Sequence, residues 1–167
     1  MAVPDVFTKV KRSDVMSRIR SRGNRDTELA LVSVFRRERL SGWRRHRPLS
    51  MAARDRQPAQ ASARTSPREI GADSRPRLRV RPDFVFSKLK AAVFVDGCFW
   101  HGCPKHATKP RTNAAFWRKK FAANQARDRL VTRTLRHAGW RVLRVWEHEL
   151  TRKNARRLAG KIHRFFN

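Results

Sequence analysis

A chain of 167 residues suits one domain with a modest core, and a hydrophobic content of 40% excludes a purely disordered basic tail. Against 41 Lys+Arg stand only 13 Asp+Glu, a formal charge of +28, and most of the basic residues are arginine. Such self-repulsion calls for a polyanionic partner, and nucleic acid fits better than an anionic membrane: no lipidation motif, basic amphipathic N-terminal helix or bilayer-long apolar stretch is evident. A GC-rich genome would favour Arg over Lys but would not remove the acids. Met1 to Arg12 lacks the apolar core of a signal peptide, so a cytoplasmic, nucleoid-associated protein is expected.

Residues 1–12 read as a loose basic arm. Ser13 caps a short helix to about Arg20, ended by Gly23. Asp26 or Thr27 caps a second helix, with Leu29, Val32, Phe35 and Leu40 apolar and Gly42 as its stop. Residues 50–79 are rich in Ala, Arg, Ser, Pro and Gln without periodicity, the composition of a disordered insertion or long loop. Order returns at Val80. Phe84–Phe86 is a short strand, Ser87–Lys90 a turn and Ala91–Val95 an apolar run of buried-strand length, together a hairpin. A compact loop runs from Asp96 to Arg111. Thr112 or Asn113 caps a long helix to about Ala138, with Trp117, Phe121, Leu130, Val131 and Leu135 facing inward and Gly139 as its stop. Residues 141–146 alternate like a strand, and a last amphipathic helix carries Ala155, Leu158, Ala159, Ile162 and Phe166. There is no internal repeat. The expected fold is α/β, a mixed central sheet flanked by helices: one domain over 13–150 and a C-terminal helix over 151–167.

Cys98 and Cys103 are separated by four residues, Cys103 and His106 by two. In a reducing compartment such a cluster is more often a metal site than a disulfide, although a labile disulfide or two unrelated thiols are alternatives. A closed zinc site needs a fourth sulfur or nitrogen donor. His148, just past the strand over 141–146, is the first choice, because that strand can lie beside Ala91–Val95. His101 and His137 compete. Zinc would tie the loop to the sheet and help fold it.

Arg81-Pro82-Asp83 opens a strand. A Pro-Asp there resembles the restriction-endonuclease-like fold, in which that Asp holds a catalytic magnesium beside the scissile phosphate, though alone the dipeptide is usually just a turn. The Glu-x-Lys which that fold ordinarily carries on the next strand is absent; this chain reads Phe94-Val95-Asp96. His101, in the loop just beyond, can stand in as a general base activating water, or as an acid. It reads equally as a zinc ligand or a solvated histidine. Phe99-Trp100 sits between Cys98 and His101, and Phe116-Trp117 begins the long helix. Adjacent large aromatics in a pinned loop suit stacking on DNA, or wedging into it, better than a core. Core packing is the alternative, and is stronger for Phe116 and Phe121, where helical spacing suggests it.

The run Asp96-Gly97-Cys98-Phe99-Trp100-His101-Gly102-Cys103, with Arg81-Pro82-Asp83 before it, Asn113 to Trp117 after it and Gly139 to Glu147 near the end, resembles the very short patch repair (Vsr) endonuclease family. Asn124 to Arg129 and the region Met16 to Glu28 also fit, so the resemblance covers residues 13–150 outside the insertion. It implies a restriction-endonuclease-like fold with a structural zinc. It also implies a magnesium-dependent nick 5′ to the T of a T:G mismatch left by 5-methylcytosine deamination. By position, the resemblance makes Asp83 the magnesium carboxylate, with the backbone carbonyl of Val95 as a second ligand. His101 becomes the catalytic histidine and Glu28 a supporting acid near the metal waters. Cys98, Cys103, His106 and His148 become the zinc set, and Phe99, Trp100 and Trp117 the DNA wedge. Three departures from the family pattern stand out. Asp96 occupies a position where some relatives carry His; it could bind metal, and its role stays open. His148 replaces a cysteine found in some relatives. The segment 50–79 exceeds the usual connection before Pro-Asp. The implied partner is double-stranded DNA with a T:G mismatch, with mismatch-repair accessory proteins as further partners and a monomer as the default. The rival readings are a nuclease with another lesion preference, a degenerate nuclease, and a zinc-stabilised DNA-binding protein without catalysis. A basic ribosome-associated protein would prefer RNA and would not need the Phe99-Trp100 pair.

Overall fold

The computed structural model describes residues 25–52, 77–106, 110 and 113–167; the arm at 1–12 and the helix expected at 13–20 lie outside them. A single wide turn of π-helix, Arg25–Leu29, leads into helix α1, Ala30–Arg37. Neither Asp26 nor Thr27 caps α1, whose N-cap is Leu29 without a side-chain hydrogen bond. The helix ends before Gly42, at Arg39 (φ 56°). There the N–H of Leu40 donates to the Phe35 carbonyl and that of Arg39 to Arg36, at 2.8 and 3.1 Å. This is a Schellman closure, with Leu40 folded back toward Phe35. Gly42 falls in the link that follows.

Six strands come next: β1 (Trp43–Arg45), β2 (Leu49–Ala52), β3 (Arg77–Val80), β4 (Phe84–Phe86), β5 (Ala91–Asp96) and, after the long helix, β6 (Arg141–Trp146). The main sheet has the order β1-β4-β5-β6. Its first three strands are antiparallel and β5–β6 is parallel, so the sheet is mixed, as expected. β2 and β3 form a separate antiparallel ribbon from Leu49↔Val80 to Ala52↔Arg77. Both ends of the stretch with irregular composition are therefore paired strands, and residues 53–76 between them lie outside the described set.

Helix α2, Ala114–His137, crosses from β5 to β6, as a parallel pair requires. It closes at Gly139 (φ 77°) with Trp140 N–H on the Leu135 carbonyl at 2.9 Å, the stop that the glycine promised. Helix α3, Ala155–Phe166, ends the chain.

The period-2 alternation of the strands sorts the core onto two faces. Phe84, Phe86, Ala91, Val93, Leu143 and Val145 meet α1 and α3 through Leu31, Phe35, Leu158 and Ile162. Val85 and Ala92 face the other way, toward Leu135 of α2 and the β2–β3 ribbon at Leu49 and Val80. Phe35 holds the first face together, with its ring edge-to-face on Phe84 and Phe86 at 5.1 and 5.5 Å. Of the positions expected to face inward on α2, only Leu135 is fully buried, and Val131 packs partly against the second face. The first turns of α2 cover the loop after β5 instead, and Phe116 is 60% exposed. Among the described residues no helix is long and apolar enough to cross a membrane.

Because Phe35 is fully buried among four aromatic neighbours, Phe35→Ala should cost about 3–5 kcal/mol in urea-unfolding stability. A loss below about 1 kcal/mol would show that the first core face does not depend on this ring.

Candidate active site and metal centre

The two segments that carry the chemistry leave the sheet together, because parallel pairing sets Asp96 of β5 against Trp146 of β6. The loop with Cys98 thus emerges beside the segment with His148. Cys98 Sγ lies 3.2 Å from His148 Nδ1, Cys103 Sγ 3.5 Å from the same nitrogen, and Cys103 Sγ 3.8 Å from His106 Nδ1. One donor atom from each of the four falls within 4.8 Å of all the others. Around a cation with bonds of about 2.3 Å to sulfur and about 2.05 Å to nitrogen, a tetrahedral edge is about 3.6 Å, so the donors already stand at coordination spacing. His148 is the histidine brought here. His101 is engaged elsewhere, and His137 is exposed at the end of α2. Burial, and the Cys103 sulfur beside it, push the Cys98 thiol up to about 11, so a thiolate here needs a cation next to it. Glu147 accepts the Cys98 N–H at 3.0 Å and Asn154 donates to the His148 carbonyl at 2.7 Å, tying both segments down.

A second cluster forms where the β4–β5 ladder stops. The last pair is Phe84↔Val93, and two residues further the register would set Val95 opposite Pro82. Proline has no N–H to give, so the ladder cannot continue. The side chain of Asp83 takes over, with its Oδ2 accepting the Val95 N–H at 2.7 Å. Burial raises the Asp83 carboxyl to about 6, with the charges of Glu28 and Asp96 adding to it and the Val95 N–H opposing. Glu28, from the π-turn before α1, is buried beside it. His46 stands beside it, half-buried, and its N–H donates to the Asp83 carbonyl at 3.1 Å. Glu28, His46 and Asp83 place one donor atom each within 4.8 Å of one another.

The third cluster starts at the very next residue of β5. Asp96 is buried and grips Arg144 with both oxygens, Nε–Oδ2 at 2.7 Å and Nη2–Oδ1 at 2.5 Å. Arg144 also reaches Asp128 of α2 at 2.9 Å, and Asp128 Oδ2 meets His101 Nδ1 at 2.6 Å. Asp96 is thus an anchor for a guanidinium. Burial works to raise the Asp128 carboxyl, but the His101 hydrogen bond and the Arg144 charge outweigh it and hold it below the ordinary value. A carboxylate on Nδ1 favours the tautomer with the proton there, which leaves the Nε2 lone pair for other partners. Beside this network a groove is lined by Arg129, Arg133, Arg136 and His137 of α2 together with Arg144.

Phe99 and Trp100 do not point apart. Their rings sit edge-to-face at 5.2 Å and join Trp117 and Phe121 in one half-buried patch between the loop and α2. Asn124 fastens the loop to the helix through the Trp100 carbonyl at 2.8 Å. Gly102 (φ 62°) passes so close that an added Cβ would meet Gln125 Nε2 at 2.6 Å.

Residues 73–107 match the family described as DNA mismatch endonuclease Vsr. Type II nicking enzyme V.NmeAIP of Neisseria meningitidis serogroup A is 32% identical over 151 residues, which make up 89% of this chain and 86% of that protein. The chain belongs to the Vsr family. Type II nicking enzyme V.NaeI of Lentzea aerocolonigenes is 57% identical over 72 residues, 43% of either chain. DNA mismatch endonuclease Vsr of Escherichia coli strain K12 is 44% identical over 68 residues, 40% of this chain and 44% of it. The chain spans less than half the length of these last two relatives. The Vsr match at 73–107 carries Asp83 and the whole loop through His106, while Glu28, Asp128, Arg144 and His148 come from outside it. The sequence reading brought Asp83 to Glu28 and His148 to the cysteines, as the structure does, but passed over His46, Asp128 and Arg144.

Since the folded-state pKa of Asp128 lies below its ordinary 3.8, the stability it contributes is present above that value and is lost as pH falls through the folded value. Asp128→Asn should therefore unfold about 1–3 kcal/mol more easily than the parent chain at pH 7. The gap should close as the pH drops below 3.8. A gap that stays constant across this range in urea titrations would show that the carboxylate charge is not what holds His101 and Arg144.

Proposed function

We propose that this chain is a metal-dependent DNA endonuclease with a restriction-endonuclease-like fold, which nicks 5′ to the T of a T:G mismatch and so opens very short patch repair. One observation carries the reading. Consecutive residues of β5, Val95 and Asp96, hold an acidic pocket at Asp83 and a network that ends on the oriented His101.

The donor set at Asp83 fits a divalent cation: it is acidic and at least half-buried, and contains polar atoms without hydrogen-bond partners. Asp83 would hold magnesium, with Glu28 supporting its waters. The Val95 carbonyl would be the second ligand, since the proline opposite it in register has no N–H to occupy it. When bound, the cation supplies Lewis-acid stabilisation of charge building on the phosphate. His101 takes the proton of the attacking water on Nε2, and Asp128 steadies the imidazolium that results. Arg144 keeps Asp128 ionised and in place. The Cys98, Cys103, His106 and His148 set fits zinc by donor chemistry and spacing, and fixes the loop that bears His101. Phe99, Trp100 and Trp117 are placed to wedge between bases at a destabilised pair, and the arginines of α2 to hold phosphates. Relatives of this chain are named as nicking enzymes and as a mismatch endonuclease, which supports a cut in one strand.

The test uses end-labelled duplexes, one with a T:G pair in varied cytosine-methylation contexts and one fully matched. The expected result is a magnesium-dependent nick 5′ to the mismatched T, absent from the matched duplex. Equal cleavage of both would replace the mismatch reading with another lesion preference, and binding without a nick would overturn the enzyme reading. Asp83→Ala and His101→Ala should each lower nicking at least about 100-fold, and full activity in either would remove that residue from the chemistry. Extended chelation of zinc, or Cys103→Ser, should release the loop and cost mismatch binding as well as nicking; unchanged binding by the zinc-free chain would count against the structural role.

A further inference from the structure

The pocket at Asp83 contains a residue that neither the sequence reading nor the proposed chemistry uses. His46 follows β1 directly and has φ 52°, a left-handed conformation uncommon outside glycine and held here by a backbone constraint. The constraint is visible: its N–H is fixed on the Asp83 carbonyl at 3.1 Å. The side chain is thereby turned inward, where Nε2 lies 2.8 Å from Glu28 Oε2. At that distance the two would normally share a hydrogen bond, yet both atoms are buried and neither makes one. Glu28 is only 4% exposed, and the nearest guanidinium, Arg45 Nε, stands 3.9 Å from the same oxygen, too far to satisfy it. Two buried, unpartnered donor atoms facing one another are costly unless something lies between and beside them. Neighbouring ligands on one edge of an octahedron with bonds of about 2.1 Å are about 3 Å apart, which is the spacing found here.

We propose that His46 is a direct cation ligand, so that Glu28, His46 and Asp83 form a site with two carboxylates and one imidazole. The inference rests on the reading above that Asp83 holds the divalent ion; it moves Glu28 from the waters of that ion to the ion itself, and it changes which ion suits the pocket. Magnesium is a hard cation that favours oxygen and gives up water reluctantly, whereas manganese accepts an imidazole nitrogen more readily. The site therefore takes Mn2+ in preference to Mg2+ when both are offered.

Mn2+ binding to the zinc-loaded full chain, followed by electron paramagnetic resonance, tests this without reference to nicking. Bound Mn2+ should show nitrogen-14 modulation in spin-echo spectra and bind at least about tenfold more tightly than Mg2+ in competition. His46→Gln should abolish the nitrogen signal, weaken Mn2+ by about tenfold and narrow the gap to Mg2+, whereas His101→Gln should leave the signal intact. A parent-chain spectrum without nitrogen overturns the His46 assignment whether or not any variant folds. If Asp83→Asn still weakens that nitrogen-free Mn2+, the metal reading of Asp83 stands alone. If Asp83→Asn leaves Mn2+ affinity unchanged, the reading of Asp83 fails as well. A nitrogen signal that vanishes with His101→Gln and survives His46→Gln would assign the ligand to the loop histidine and also overturn the proposal.

Discussion

The parallel pairing of β5 with β6 brings together the Cys98–Cys103–His106–His148 quartet and the Asp96–Arg144–Asp128–His101 network. Ala91 to Asp96 run beside Arg141 to Trp146 in unbroken register, and both strands release their chains at one end of the sheet. Cys98 and His148 meet because they lie two residues beyond the paired positions 96 and 146. Asp96 meets Arg144 because both sit on the face that α2 covers, Asp96 in step with Ala92 and Phe94, Arg144 with Val142. A slip of one residue would turn Asp96 and Arg144 toward α1 and the aromatic core, where neither charge has a partner. Leu143 and Val145 on the opposite face oppose that slip, so the apolar core protects the register on which the polar clusters depend.

The charge distribution follows the same geometry. With 41 basic residues against 13 acids, the acids would be expected to be scattered as surface counterions. Instead Glu28, Asp83, Asp96, Asp128, Glu147 and Glu149 gather around the strand ends, several of them buried or half-buried. Most of them grip a particular partner. Asp83 holds a backbone amide, Asp96 and Asp128 share one arginine, Glu147 takes the Cys98 amide and Glu149 pairs with Lys161. The rest of the surface is left strongly positive, which costs stability in the free chain and is relieved by a polyanion.

Much of this was legible beforehand, and the failures have physical causes. Short apolar runs of strand length marked β4 and β5, alternation marked β6, and Gly139 marked the end of α2, because those signals are local. The end of α1 was misplaced because Arg39 adopts the left-handed closure that usually goes to glycine. The β2–β3 ribbon was hidden because its partners are separated by residues 53–76, and pairing across such a gap leaves no local trace. The metal quartet could be read from donor type and spacing. Arg144 could not, since in an alternating strand it looks like an ordinary solvent-facing position. His46 lies in a basic run, Arg44-Arg45-His46-Arg47, where nothing local distinguishes it from solvated charge. Asp128 carried a signal that went unused: it stands four residues after Asn124, so on a helix both face the same loop, one holding the Trp100 carbonyl and the other the His101 ring.

That shared helix face binds recognition to chemistry. The loop from Gly97 to His106 is held at the Cys98–His148 contact, at the Trp100 carbonyl and at the His101 ring, and its few residues carry both the aromatic patch and the imidazole. On the proposed reading, a base-stacking contact at Phe99 or Trp100 and a proton transfer at His101 would therefore share one short loop. Any displacement of the rings is passed directly to the imidazole, and from there through Asp128 and Arg144 to Asp96, the neighbour of the Val95 amide that orients Asp83. On the proposed reading, a ligand that seats the aromatics correctly would also align the acidic pocket, and one that does not would leave the two ends of this chain of contacts out of step. Discrimination between duplexes can thus arise at the catalytic geometry itself rather than from binding strength alone.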